Sequence, residues 1–131
     1  MAIHRVRVTN EGRLKIHVKV DDLQPRGGRS AAVWIDTNPD RAGAEFFIGS
    51  GLWDSDWQIG RGRGWRVVGQ GPLACPVDQR LNFARDVITW RTGRTCMGRY
   101  SAVRVSVEAH KGRTTDYSPR RHRFHPWVER N

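Results

Sequence analysis

Arg13-Leu14-Lys15-Ile16-His17-Val18-Lys19-Val20 places an apolar side chain at every second position and a basic one between most of them. Side chains of an extended chain point alternately to opposite faces, so this period of two predicts a half-buried β-strand with Leu14, Ile16, Val18 and Val20 inward. Just before it, Arg5-Val6-Arg7-Val8 repeats the pattern. Between the two runs, Asn10-Glu11-Gly12 reads as a three-residue hairpin loop, with Gly12 supplying the positive φ. The register expected from that loop pairs Thr9 with Arg13, Val8 with Leu14 and Val6 with Ile16. A two-residue loop would set Val8 against Lys15 and mix the faces. Arg7 then lies across from Lys15 and Arg5 across from His17, so Arg5, Arg7, Lys15, His17 and Lys19 share the outer face. Like charges opposite each other on a sheet cost a few tenths of a kcal/mol. Such a stripe is tolerated as a solvated face, and it is also where an anion would bind.

The whole chain has the same bias. It carries 23 Lys and Arg against 13 Asp and Glu, a net charge of +10. That field attracts nucleic acid, anionic surface polymers or anionic lipid headgroups. Only Lys15, Lys19 and Lys111 among those cations are lysines. An arginine excess of that kind is also what a GC-rich genome writes into any soluble surface. The 131 residues make one domain with room for a single core. No run approaches the roughly 18 apolar residues of a membrane span. No apolar segment of signal-peptide type follows Met1, and Met1-Ala2 reads as a start added before a mature chain beginning near Ile3.

Downstream, Asp21 to Ser30 is a loop broken by Pro25, Gly27 and Gly28. Ala31–Ile35 is a short apolar strand suited to a central position, and Glu45–Ile48 is the next strand. Trp57–Gly60 and Trp65–Val68 form a second hairpin around Arg61-Gly62-Arg63-Gly64, whose single Arg-Gly repeat reads as a connecting turn. Arg80–Ala84 and Val87–Arg91 flank Arg85-Asp86 as a two-residue turn, which sets Ala84 opposite Val87 and Leu81 opposite Trp90. Carried outward, that register brings Cys75 opposite Cys96, within reach of a disulfide. A bridge would indicate an oxidising compartment. Ser101–Ala109 is the clearest later strand, and the basic residues 110–131 form a tail that Trp127 and Val128 dock onto the domain. About eight short strands, with no helix of ordinary length and glycine-rich turns, predict an all-β fold: an antiparallel, jelly-roll-like β-sandwich with one disulfide.

Acceptor groups are densest after the central strand. Asp36, Asn38 and Asp40 stand at alternate positions and Glu45 follows. Ca²⁺ takes about six to eight oxygen ligands, and such a loop delivers several at once. This is not an EF-hand, because Arg41 and Phe47 occupy the sixth and twelfth positions. The alternative is an ordinary turn in which Asp36 and Asn38 accept from backbone N–H groups. A second acidic loop places Asp54 and Asp56 between Trp53 and Trp57, an arrangement suited to stacking on a sugar ring, although core packing also uses tryptophans. Catalytic signatures are missing: there is no nucleophile elbow, no zinc-protease helix and no nucleotide loop. The pair His122 and His125 lacks a cysteine partner nearby, so zinc is a poor reading. Carboxylate pairs for hydrolysis can be chosen from the acidic loops, but any sandwich offers such pairs.

The order Val33-Trp34-Ile35-Asp36-Thr37-Asn38-Pro39-Asp40, then Gly43-Ala44-Glu45-Phe46, Arg63-Gly64-Trp65-Arg66, Cys75, Gly93-Arg94-Thr95-Cys96-Met97, Val103-Arg104-Val105-Ser106-Val107 and Pro126-Trp127-Val128 resembles small secreted proteins of high-GC Gram-positive bacteria. That resemblance implies secretion and no particular activity. Residues 3–60 are more loosely similar to family 9 carbohydrate-binding modules and DOMON-type jelly-rolls, which bind sugars, haem or other ligands. Met97 offers no clear match to the haem ligands of that group. The expectation is therefore a secreted, non-catalytic binding module, calcium-stabilised and directed to carbohydrate or cell wall. Its alternatives are a polyanion binder acting through the basic face, and a small hydrolase.

Overall fold

The computed structural model describes the chain except for residues 26–27, 53–56, 70–74, 94–96, 99 and 131. Among the described residues there are eleven strands: β1 (Ile3–Asn10), β2 (Arg13–Val20), β3 (Arg29–Asp36), β4 (Phe46–Ser50), β5 (Trp57–Arg63), β6 (Arg66–Val68), β7 (Val77–Asn82), β8 (Val87–Gly93), β9 (Ala102–Lys111), β10 (Thr114–Ser118) and β11 (Val128–Glu129). They form two antiparallel sheets. The first has the order β1-β2-β8-β7; the second runs β10-β9-β3-β4-β5-β6, with β11 beside the start of β9. The all-β, two-sheet expectation therefore holds, with eleven strands instead of about eight. Two of the additional strands, β10 and β11, come from the segment read as a tail. No helix among the described residues is long and apolar enough to cross a membrane.

One hydrophobic core joins the sheets. Leu14, Ile16, Val18, Ile88 and Trp90 from the first sheet belong to the same buried cluster as Val33, Ile35, Ile48, Val103, Val105 and Val107 from the second. Each set is an every-second-residue series, so the predicted inward faces are the ones buried. β3 sits centrally, with β9 on one side and β4 on the other.

Both predicted hairpin registers are shifted by two residues. In the first, Asn10 pairs with Leu14, Val8 with Ile16, Arg7 with His17 and Arg5 with Lys19. Asn10 is pulled into the ladder because its side chain is buried and donates from Nδ2 to the Val128 carbonyl at 3.0 Å. In the second, Leu81 pairs with Ile88 and Gln79 with Trp90. The turn there is Phe83–Asp86, closed by Arg85 N–H donating to Asn82 Oδ1 at 3.0 Å. Asp86 (φ 58°) locks it, accepting at its carbonyl from Val20 N–H at 3.0 Å and at Oδ1 from Leu23 N–H at 2.8 Å. A shift of two preserves which face each side chain occupies, so the core is as expected while the cross-strand neighbours are not.

The same shift removes the register argument for pairing Cys75 with Cys96, because that argument rested on Ala84 opposite Val87, and Asn82 stands there instead. Cys75 is buried and is not a free thiol. Cys96 lies outside the described residues.

Candidate basic sheet face

The outer face of the first sheet is a grid. Strand pairing aligns Thr9, Lys15, Arg91 and Asp78 in one row. The middle row is Arg7, His17, Thr89 and Arg80, and the third is Arg5, Lys19, Val87 and Asn82. All five residues singled out as polyanion contacts, Arg5, Arg7, Lys15, His17 and Lys19, stand together here. Arg80 and Arg91 were not anticipated. They reach this face only because β8 is inserted between β2 and β7, a pairing no local pattern encodes. Neighbouring strands lie about 4.8 Å apart and same-face residues on one strand about 7 Å apart, so the cations crowd one another.

The loop Phe83–Arg85 raises one rim, and the face forms a shallow concavity of about 830 Å³. Lys19 Nζ donates to the Arg85 carbonyl at that rim. Asp78 is the one acid in the grid. It makes an exposed pair with Arg80 at 3.6 Å, which is worth little in water. Arg91 Nε is shielded from solvent and has no hydrogen-bond partner among the described residues. His17 Nε2 lies 3.3 Å from Thr89 Oγ1. Burial lowers the His17 pKa from its ordinary value, and the charges of Lys15, Arg7, Arg5 and Arg91 lower it further.

At the other sheet, Asp36 of β3 is fully buried and stands opposite Arg104 of β9, with Arg104 Nε 2.7 Å from Asp36 Oδ2. Three of the four residues considered for calcium, Asp36, Asn38 and Glu45, spend side-chain oxygens on backbone donors of their own loop, while Asp40 is exposed. Asp36 Oδ1 accepts from Asn38 N–H at 3.0 Å, Asn38 Oδ1 accepts from Asp40 N–H at 2.9 Å, and Glu45 Oε1 accepts from the N–H groups of Thr37 and Asn38, each at 2.8 Å. That is the pattern of a self-closed turn. Among the described residues, no three His, Cys, Asp or Glu side chains are grouped as a metal would need.

Glu45 is the titrating member of this loop. Burial pushes its carboxyl up to about 7, helped by its side-chain hydrogen bond with Asp36 and opposed by the Thr37 and Asn38 N–H groups. The folded protein thus keeps a proton that the unfolded chain, with a value near 4.5, has already released. Glu45 therefore contributes most stability below about pH 4.5, and that contribution is lost as pH rises through about 7. Glu45→Gln imitates the protonated form. Its urea midpoint relative to the parent protein is expected to improve steadily from pH 4.5 to pH 8; a difference that does not change with pH would refute the assignment.

Of the suggested sugar-binding set, Trp53, Asp54 and Asp56 lie outside the described residues. Trp57 packs partly against the core and borders a recess of about 430 Å³ beside Gln58 and His110. The most extensive aromatic cluster among the described residues lies elsewhere. Trp65, at the β5–β6 turn, stacks on His122 and Phe124 with ring centroids 4.8 and 4.7 Å away, and Arg104 sits over the rings of Phe124 and Trp127 at 4.4 and 4.6 Å. These contacts dock residues 122–127 onto the sheet, with His125 N–H donating to the Val105 carbonyl at 2.8 Å. Basic residues of this segment are therefore anchored beside an aromatic wall and are separate from the grid on the first sheet. No protein-family model matches the chain, and no curated protein matches it.

Proposed function

We propose that the chain is a binding protein for anionic polymers, which it engages with the outer face of the β1-β2-β8-β7 sheet. The observation that carries this reading is the grid itself: Arg5, Arg7, Lys15, Lys19, Arg80 and Arg91 converge around His17 with Asp78 as the single acid. Cations held this closely on a rigid sheet repel one another, and a multivalent anion relieves that repulsion while releasing its own counterions. An anionic surface polymer is favoured over single-stranded nucleic acid. The twelve grid positions include no Phe, Tyr or Trp, and Phe83 at the rim packs partly against the core, so the grid itself offers bases no stacking platform.

Binding to dextran sulfate, measured across a salt series, tests the reading. Affinity is expected to fall linearly with salt on a logarithmic plot. The double substitution Arg7→Glu/Lys15→Glu is expected to reduce the slope by about two, roughly one per contact removed. Absence of binding at about 0.1 M salt, where surface charges are still felt over about 10 Å, would end the proposal. Tighter, base-selective binding to single-stranded DNA would turn it toward nucleic acid.

Secretion belongs to the same reading, supported by Cys75 not being a free thiol, as is usual in oxidising compartments. A calcium-stabilised, carbohydrate-directed module draws weaker support, since the oxygens of Asp36, Asn38 and Glu45 already serve backbone donors. A melting temperature raised by excess Ca²⁺ and restored by chelator would favour it.

A further inference from the structure

His17 occupies the middle of the grid and is the only member whose charge can change near neutral pH. Every element packed around it supplies positive charge. β1 contributes Arg5 and Arg7, and β2 itself contributes Lys15 and Lys19. From the other side come Arg91 of β8 and Arg80 of β7, the latter shared with Asp78, while Arg85 stands at the rim. Asp78 is two rows of strands away from His17 and already engaged by Arg80. No acid of the grid is therefore placed to compensate an imidazolium at this position, and the ring is held against Thr89, which is itself buried.

An external anion changes that balance. A sulfate or phosphate ester lying in the concavity over the middle row would meet Arg7 and Arg80 from the two sides, with Thr89 and His17 beneath. Arg91, diagonal to His17 in the adjacent row, would add its charge from β8. The ester supplies the negative charge that the protein does not, so the proton that His17 excludes in the free protein becomes favourable in the complex. By linkage, whatever raises proton affinity on binding also makes binding stronger at lower pH.

Building on the anionic-polymer reading, we propose that His17 is the proton-taking centre of an ester-oxyanion seat formed with Arg7, Thr89, Arg80 and Arg91, so that each polymer charge seated there is bound together with one proton from solvent. The binding surface is thereby tuned to acidic surroundings. The lowered proton affinity of free His17, set first by burial and then by its cationic neighbours, leaves room for that uptake.

The test uses the whole protein and two polymers whose repeating charges do not titrate between pH 5.5 and 8, dextran sulfate and long-chain polyphosphate, at constant ionic strength. Affinity for the preferred polymer is expected to rise as pH falls, by up to about tenfold per unit, the limit for one linked proton. His17→Gln is expected to flatten the profile and weaken binding at pH 5.5. His17→Arg is expected to flatten it at the tight end, because its charge is permanent. The stronger of the two polymers assigns the preferred oxyanion as sulfate or phosphate. If the parent protein and His17→Gln share the same pH profile, the proton-taking role falls while the polymer-binding reading stands. If neither polymer binds at any pH, both fall.

Discussion

Arg104→Ala is expected to destabilise the protein by about 3–5 kcal/mol, the usual cost of removing one partner from a buried ion pair. Asp36 is fully buried, and Arg104 is its closest charge, at 2.7 Å. Without the guanidinium, a carboxylate remains in the interior with only the Asn38 N–H at 3.0 Å and its hydrogen-bonded neighbour Glu45. The same guanidinium lies over both the Phe124 and the Trp127 ring, so its loss also loosens the docked C-terminal segment. Two measurements check this. Urea unfolding should give the stated loss. Limited proteolysis should cut between residues 119 and 127 sooner than in the parent protein. Arg104→Lys keeps the charge but gives up the flat stacking surface and is expected to fall between the two. A loss below about 1 kcal/mol, the range of an exposed pair, would show that the pair is a surface contact in solution.

Trp90→Ala is expected to cost as much, about 3–5 kcal/mol, through a large internal cavity. Trp90 is fully buried and stands between Ile16 of β2 and Gln79 of β7. Its Nε1–H donates to Gln79 Oε1 at 2.8 Å, so the ring both fills the core and ties the edge strand β7 to β8. With typical domain stabilities of about 5–15 kcal/mol, such a loss lowers the melting temperature by roughly 10–20 °C. Trp90→Phe separates the two roles. It keeps most of the apolar volume and removes the donor, for an expected cost of about 1–2 kcal/mol. Because β8 carries Thr89 and Arg91 on its other face, Trp90→Ala should also weaken polymer binding where partial unfolding sets in. An unchanged urea midpoint would mean that the core repacks freely around the vacancy.

How much of this was readable beforehand differs from element to element. The inward faces of β2 and β9 were legible because Leu14-x-Ile16-x-Val18-x-Val20 and Val103-x-Val105-x-Val107 carry a period that only an extended chain can bury on one side. β10 was not legible. Thr114-Thr115-Asp116-Tyr117-Ser118 has no apolar alternation, and it is a strand because β9 offers it a ladder and Asp116 Oδ2 accepts from Ile3 N–H at 2.7 Å. The hairpin registers missed by two for a related reason. Asn10 and Asp86 are turn-forming residues by local chemistry, but partners outside their own hairpins, Val128 for one and Val20 with Leu23 for the other, decided where each turn sits.

The candidate sites divide in the same way. The acceptors Asp36, Asn38, Asp40 and Glu45 were visible as a cluster, and the backbone N–H groups that Asp36, Asn38 and Glu45 serve lie within the same loop. What gives Asp36 its character is Arg104, 68 residues later. Likewise Arg5, Arg7, Lys15, His17 and Lys19 could be placed on one face from alternation alone, whereas Arg80 and Arg91 joined them through the β2–β8 pairing. The chain by itself determined that it would be built of strands, which side of each strand would be apolar, and that a basic face would result. Only the tertiary structure decided which strands became neighbours, how far each hairpin slid, and which charges were left without a counter-charge. The reason is physical: side-chain direction follows from bond geometry over two residues, while strand order is the solution the whole chain reaches in burying its apolar faces at once.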